Sequence, residues 1–439
     1  MSLYPEENGL HVLEKIGIDP EKHKDTVSGW GDSFSRMPEK VFFLENEFIG
    51  EKCKTLKMSE SVFQELAEAA EIIRKNPALT AYVWHIYYRQ VSVYHDGVPP
   101  ANFWNYALPE SIFKGPPQII FLLAALGASE QVIEKYRSMQ IPEDIIRDTL
   151  DAAITKCVEA FCKTHDGHAG LAVGNYSWMR LNLAGRLLVL GRFCFKLKED
   201  NDFGLVLKNR MNSKKIMLIQ PGLKITKTGY CALEKDGFNN QITVPEMQSA
   251  FTSTLEITDD SYCGYAVHPA GYVLPKKISL PKNAWEVILE PGDIMMDLHI
   301  PAGGGMTPEK TYDSLNRAFR FFSDHFPRKF QPAFISHSWI FNTQIEEKLP
   351  DSNLAKFMRE CYLFPNYSSG LDGMFYVFGR YDIKKEDLPQ LPRKTSVQKA
   401  LLEILESGQY LRNAGMVYFA EDLPLFGTNL YRTQFQIGR

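Results

Sequence analysis

One stretch limits what this chain can become more than any other. Residues 293–322, DIMMDLHIPAGGGMTPEKTYDSLNRAFRFF, read as a strand, a run of three glycines and a helix. Ile294, Met296, Leu298 and Ile300 alternate with Met295, Asp297 and His299, which is the period of a strand. Gly303, Gly304 and Gly305 follow at once; glycine takes positive φ without steric cost and lets the backbone approach a ligand closely. Thr307 suits an N-cap and Pro308 the first helical position, and Tyr312, Leu315, Ala318, Phe319 and Phe322 recur as a buried helical face. The unpaired N–H groups from Gly303 through Met306 to Thr307, with the helix dipole behind them, favour an anion such as a phosphate. The competing reading is a tight connection that needs glycine only for its turn. No Gly-Lys-Ser/Thr follows, so the loop is not a Walker A loop, and GxGxxG is absent.

A chain of 439 residues exceeds one ordinary hydrophobic core, so two domains are expected. The net charge of −4 gives no global attraction for polyanions, so neither nucleic acid nor an anionic membrane is an expected partner, and an anionic ligand needs a local site. Seven scattered cysteines without a CxxC pair argue against a disulfide framework and a structural zinc site. The N-terminal MSLYPEENGL lacks the pattern of a signal peptide, and the longest apolar run, Ile119–Gly127, is too short for a bilayer. A reducing cytoplasm is the expected location.

The first part has helical periodicity. Ser59–Lys75 puts Val62, Leu66, Ala69, Ala70 and Ile73 on one face behind a Ser59 N-cap, and further helices are expected over Ala78–Tyr94, Gln118–Leu126, Ser129–Met139 and Pro142–Cys162. From about residue 190 the character changes. LGRFCFKLK (190–198), FGLVLK (203–208), KKIMLIQ (214–220), TLEIT (254–258) and WEVIL (285–289) are short, rich in β-branched or aromatic residues and separated by turn residues. Strands are then expected at Ile294–Ile300, Phe334–Phe341, Met374–Phe378 and Met416–Phe419, with helices at Pro308–Phe322, Asn353–Cys361 and Ser396–Glu406. The fold class is therefore α+β: a helical domain over residues 1–170 and a mixed-sheet domain over 171–439, divided in the polar stretch THDGHAGLAVG (164–174). His165, Asp166 and His168 in that stretch have the look of a metal triplet, but a polar loop explains them better.

The order of mixed strands, then strand, glycine loop and helix, then strand, helix and strand, resembles the C-terminal half of a GNAT-type N-acyltransferase. More specifically, the chain resembles a two-domain acyltransferase family with a helical N-terminal domain and a GNAT-like C-terminal domain. The residues that carry the likeness are LGRFCF (190–195), LHIPAGGGMTPE (298–309) with Ser314, Ala318, Phe321 and Phe322, SWIF (338–341) and LPDSNLAKF (349–357). The likeness implies acetyl-CoA or another acyl-CoA as co-substrate, with its pyrophosphate on the backbone N–H groups of Gly303 to Thr307 and no metal. It implies a small-molecule or peptide amine as acceptor. One position departs from the pattern: where the family places Arg or Gln, three residues before the first of two alternate glycines, this chain has Ile300.

Direct acyl transfer to an amine needs a proton acceptor, a donor to the thioester oxygen and a proton for the leaving thiolate. Asp297 and His299 share a strand face just before the loop, so His299 is the candidate base and Asp297 either its orienting group or the reader of a cationic substrate, the alternative being a histidine that only ties the turn. In the GNAT picture the pantetheine arm lies beside the next strand, where Ser338 and Trp339, with Asn342 just after, would bind or wall it; core and backbone-capping roles are equally open to them. Tyr362 takes the approximate place of a tyrosine that protonates the thiolate. Ser352 reads first as an N-cap, and Arg317 and Arg320 as solvent-facing helix residues. A scaffold that keeps a ligand or partner without turnover is the alternative function, and Ile300 and the lack of an obvious acidic base fit it; a nucleotide phosphate binder is a weaker third.

Overall fold

The computed structural model describes residues 7–92, 106–235, 237–238, 244–301, 303, 305–327, 329–380 and 382–436. It divides into two compact units, Met1–Val189 and Leu190–Arg439, and the division falls inside a short strand, β1 (Leu188–Leu190).

The first unit is helical. Ser59 caps the helix Glu60–Arg74 by accepting a hydrogen bond from the Val62 amide. The segments expected as two helices around residue 127 form one, Ile119–Ser138, in which every residue from Ile119 to Ser129 is buried. A helix apolar on all sides has to be central, and this one is. Tyr82, Trp84 and Tyr87 of the aromatic helix Pro77–Ser92 are buried with it. The unit continues past the polar stretch at 164–174. Tyr176 stacks on Phe121 with centroids 5.1 Å apart and donates its hydroxyl to the Ile86 carbonyl, so residues up to the division belong to the helical core. The boundary is thus set by packing rather than by the change in polarity.

The second unit begins with β2 (Phe193–Glu199). There follow β3 (Leu205–Asn209), β4 (Lys215–Leu218), β5 (Lys224–Thr226), β6 (Ser249–Thr252), β7 (Leu255–Ile257), β8 (Ser261–His268), β9 (Tyr272–Pro281) and β10 (Trp285–Leu289). Last come β11 (Ile294–His299), β12 (Ala333–Ser338), β13 (Tyr362–Gly370) and β14 (Leu411–Phe419). In the main sheet of this unit the order is β2-β11-β12-β14-β13. β11 and β12 are parallel and the other neighbours antiparallel. A second sheet, β10-β3-β4-β8-β7 with β9 on β8, has its own core of Leu205, Leu207, Ile216, Leu218, Ala266 and Leu280.

Further expectations change, and the strand expected over Phe334–Phe341 ends at Ser338, with Trp339–Phe341 forming a helical turn. MFYVF (374–378) is a helical turn, not a strand. Gly373 and Gly379 flank it in left-handed conformations, which no extended segment would need, and Met374 joins the core formed with Leu401 and Leu405. The edge strand is β13 instead. The helix Pro308–His325 buries Thr311, Ser314, Leu315, Ala318, Phe321 and Phe322, while Tyr312 is exposed. The buried stripe is rotated toward Ser314, for a reason given by the site.

Candidate functional site

β11 ends at His299, and the turn beyond it enters the helix Pro308–His325. Gly303 has φ +81° and Gly305 φ +64°, values a side chain would strain. Gly304 lies outside the described residues. Met306 is buried, and Thr307 takes an extended conformation as N-cap, its hydroxyl accepting from the Lys310 amide at 3.4 Å, with Pro308 at the first helical position. Glu309 lies in the first turn of this helix. A hydrogen bond from its own backbone N–H, then one from Thr307, holds its carboxyl below its ordinary range. A cleft of about 210 Å³ adjoins the loop, between Met306, Pro308 and Thr311 on one side and Asn353, Lys356 and Arg359 on the other.

The loop is also held from β2. Ser314 Oγ donates to the Leu190 carbonyl at 2.5 Å and accepts from the Phe193 amide at 3.0 Å, which is why the helix turns this polar face inward. Between those contacts Gly191, at φ +78°, lets the turn approach so closely that an added Cβ would lie 3.2 Å from the Ser314 Cα. The next residue, Arg192, reaches the glycine loop: its Nε donates to the Gly305 carbonyl at 2.6 Å. Neither LGRFCF nor Ser314 announces this arrangement as sequence. The only signal was their joint presence, more than a hundred positions apart.

Above the loop, β11 and β12 pair only through Met296 with Phe334 and Asp297 with Ile335, and no register continues to their ends. His299 and His337 each stand two residues beyond the last pair. His299 Nε2 lies 3.1 Å from Asp297 Oδ2, and Lys196 Nζ lies 3.3 Å from the same oxygen. Burial works to raise the Asp297 pKa, but His299, Lys196 and Lys198 outweigh it and hold the carboxyl below its usual range.

His337 has a carboxylate as well. Its Nε2 donates to Asp200, at 3.0 and 3.1 Å from the two oxygens, and its Nδ1 accepts from the Asn366 amide at 3.0 Å. Asp200 is almost wholly buried and also receives Lys198 at 2.8 Å and the Asp202 amide at 2.9 Å. Burial opposes its ionisation, and His337, Lys198 and the amide overcome that and hold its pKa far below normal. The sequence reading missed this pair, because its members are 137 positions apart and neither belongs to a motif.

Of the remaining expected residues, Ser338, Asn342, Ser352 and Tyr362 bond backbone groups. Ser338 caps the turn that follows it, accepting from the Ile340 amide at 3.4 Å. Asn342 is buried and caps the helix Thr343–Lys348 through the Gln344 amide at 3.0 Å. Trp339 stacks on Tyr376 and packs against the core of the helix Ser396–Glu406. Ser352 caps the helix Asn353–Glu360 through the Ala355 amide at 3.1 Å. Tyr362 is placed unlike a thiolate acid. It is fully buried, its hydroxyl donates to the Val267 carbonyl at 2.6 Å and accepts from the Met217 amide at 3.0 Å, and burial drives its pKa up. It fastens the second sheet to β13. Arg317 pairs with Asp313 at 2.8 Å on its own helix.

Comparison with known families bears on this geometry. A family model described as the GNAT-like C-terminal domain matches residues 187–417, and one described as the N-acyltransferase N-terminal domain matches residues 47–185. The chain belongs to this two-domain N-acyltransferase family. Among solved structures, an acyltransferase in complex with decanoyl-CoA and teicoplanin is 17% identical, with a TM-score of 0.58 over 94% of this chain and 99% of that one. A mutant acyltransferase in complex with octanoyl-CoA and an acyltransferase in complex with CoA and 10C-teicoplanin give 17% identity and TM-scores of 0.57 over the same shares. At that identity the likeness establishes the shared fold. No curated protein sequence matches. In this member of the N-acyltransferase family, no helix among the described residues is long and apolar enough to cross a membrane.

Proposed function

We propose that this chain transfers an acyl group from acyl-CoA to an amine by direct attack. The observation that carries the reading is the parting of β11 from β12 after two registered pairs, directly ahead of a glycine turn and a helix start that favours anions. The pyrophosphate would lie on the N–H groups of Gly303, Gly305, Met306 and Thr307, and the extended pantetheine arm along the strand edges left open by the parting. Structures of the same fold hold octanoyl-CoA, decanoyl-CoA and CoA, which supports an acyl-CoA donor, and teicoplanin, which supports a small-molecule or peptide acceptor.

In this reading the amine nitrogen attacks the thioester carbonyl carbon and the C–S bond breaks as the tetrahedral adduct collapses. His299, oriented by Asp297, takes the proton the nitrogen loses, directly or through one water, and the thiolate leaves to be protonated from solvent. Titration calorimetry with acetyl-, octanoyl- and decanoyl-CoA tests the donor, and thiol release across a panel of amines tests the chemistry. No binding at millimolar acyl-CoA would overturn the proposal. Binding with no thiol release from any amine would favour the alternative to which Ile300 points, a scaffold that holds the ligand without turning it over.

A further inference from the structure

Ile300 gives the glycine loop no cation of its own, yet a cation stands on the loop all the same. Arg192 comes from the turn before β2, and its Nε is spent on the Gly305 carbonyl at 2.6 Å. Four further guanidinium N–H groups remain, and no partner for them exists among the described residues. The side chain is half-buried and lies over the Phe193 ring at 5.7 Å. Burial pulls its pKa down, and the neighbouring Cys194 acts against that. A half-buried guanidinium with no carboxylate partner among the described residues is costly to keep, and an anion of planar, forked geometry is what it fits. The hold on its backbone is firm: Leu190 and Phe193, on either side of the Gly191–Arg192 turn, are both bonded to Ser314.

We propose that Arg192 binds a phosphate oxygen of the ligand on this loop, supplying from β2 the cation that Ile300 does not. The inference rests on the acyl-CoA reading, in which that phosphate belongs to the coenzyme pyrophosphate. Arg192 fixes the loop with one edge of the guanidinium and meets the anion with the other, so loop shape and ligand charge are read by one group.

Calorimetric titration of CoA and of pantetheine, which lacks the pyrophosphate, into wild type, Arg192→Gln and Arg192→Lys separates the outcomes. A charge-assisted bond of this kind predicts a roughly ten- to hundredfold loss of CoA affinity in Arg192→Gln, a smaller loss in Arg192→Lys, and unchanged pantetheine affinity in both. Equal CoA affinity in wild type and Arg192→Gln would overturn the role of Arg192 and leave the acyl-CoA reading intact. A larger loss in Arg192→Lys than in Arg192→Gln would overturn it too, because it would mark a strut rather than a charge. Wild type binding pantetheine as tightly as CoA would instead remove the acyl-CoA pyrophosphate from the loop. One measurement needs no variant: saturating CoA is expected to slow modification of Arg192 by phenylglyoxal in wild-type protein at least severalfold, and an unchanged rate with CoA bound would defeat the proposal.

Discussion

The Ser314 hydroxyl accepts a hydrogen bond from the Phe193 amide at 3.0 Å, joining residues 121 positions apart on opposite sides of the glycine turn. The same oxygen donates to Leu190, so a single small side chain satisfies both an N–H and a C=O that the close turn at Gly191 would otherwise bury unpaired. Ser314→Ala strands both groups. The expected loss is about 1–3 kcal/mol of stability, read by urea unfolding, together with weaker CoA binding because Arg192 loses its fixed base. Unchanged stability with unchanged affinity would mean that the turn holds without the serine.

His299 and Asp297 make separable contributions if the proposed chemistry is right. His299→Ala is expected to lower turnover by about 10²–10⁴-fold while acyl-CoA still binds. Asp297→Asn should lower it less, and it should alter the acid limb of the pH–rate profile, since the carboxylate that orients the imidazole is gone. A turnover number unaffected by His299→Ala would exclude the histidine as base.

Acid stability follows from the two buried aspartates. The carboxyls of Asp200 and Asp297 are held below their ordinary pKa, so each releases its proton more readily in the folded chain than in the unfolded one. Their stabilisation is complete above the unfolded value of about 3.9 and is lost as pH falls from there through the lower folded values. Denaturant midpoints measured from pH 6 downward should fall steeply below about pH 4. Asp200→Asn should be less stable near neutrality and show a shallower slope in that acid window; a slope equal to that of wild type would contradict the pairing.

Tyr362 offers a control in which structure and catalysis part company. Removing its hydroxyl in Tyr362→Phe leaves the Met217 amide and the Val267 carbonyl short of a partner, at a cost of about 1–3 kcal/mol. Thermal unfolding should register that loss, while turnover per folded molecule should stay at the wild-type level. A selective fall in turnover would restore the thiolate-acid role expected from the sequence.

The strand, turn and helix at 294–325 were legible because each local preference agrees with the others: alternation, then glycine, then Thr-Pro at the helix start. Ser59 and Ser352 were legible as caps for the same reason. What escaped was everything fixed at a distance. MFYVF has the composition of a strand, and only the left-handed glycines on either side and the core beneath it select a helical turn. Tyr362 sits where a family pattern would place an acid, but two backbone groups from another sheet claim its hydroxyl. The Asp200–His337 pair and the Arg192–Gly305 contact join segments far apart in the chain, and single-sequence periodicity carries no information about such meetings.

β2 and β11 are antiparallel neighbours, and the chain between them makes the whole second sheet before returning to the point it left. At that neck the Gly292 amide donates to the Asp200 carbonyl at 2.8 Å and the Asp200 amide to the Asp293 carbonyl at 3.2 Å. The second sheet is thus inserted between the two strands of one hairpin, and Tyr362 pins it to β13 as well. Its loops can lengthen, shorten or change partners without shifting the register of the strands that carry the glycine turn.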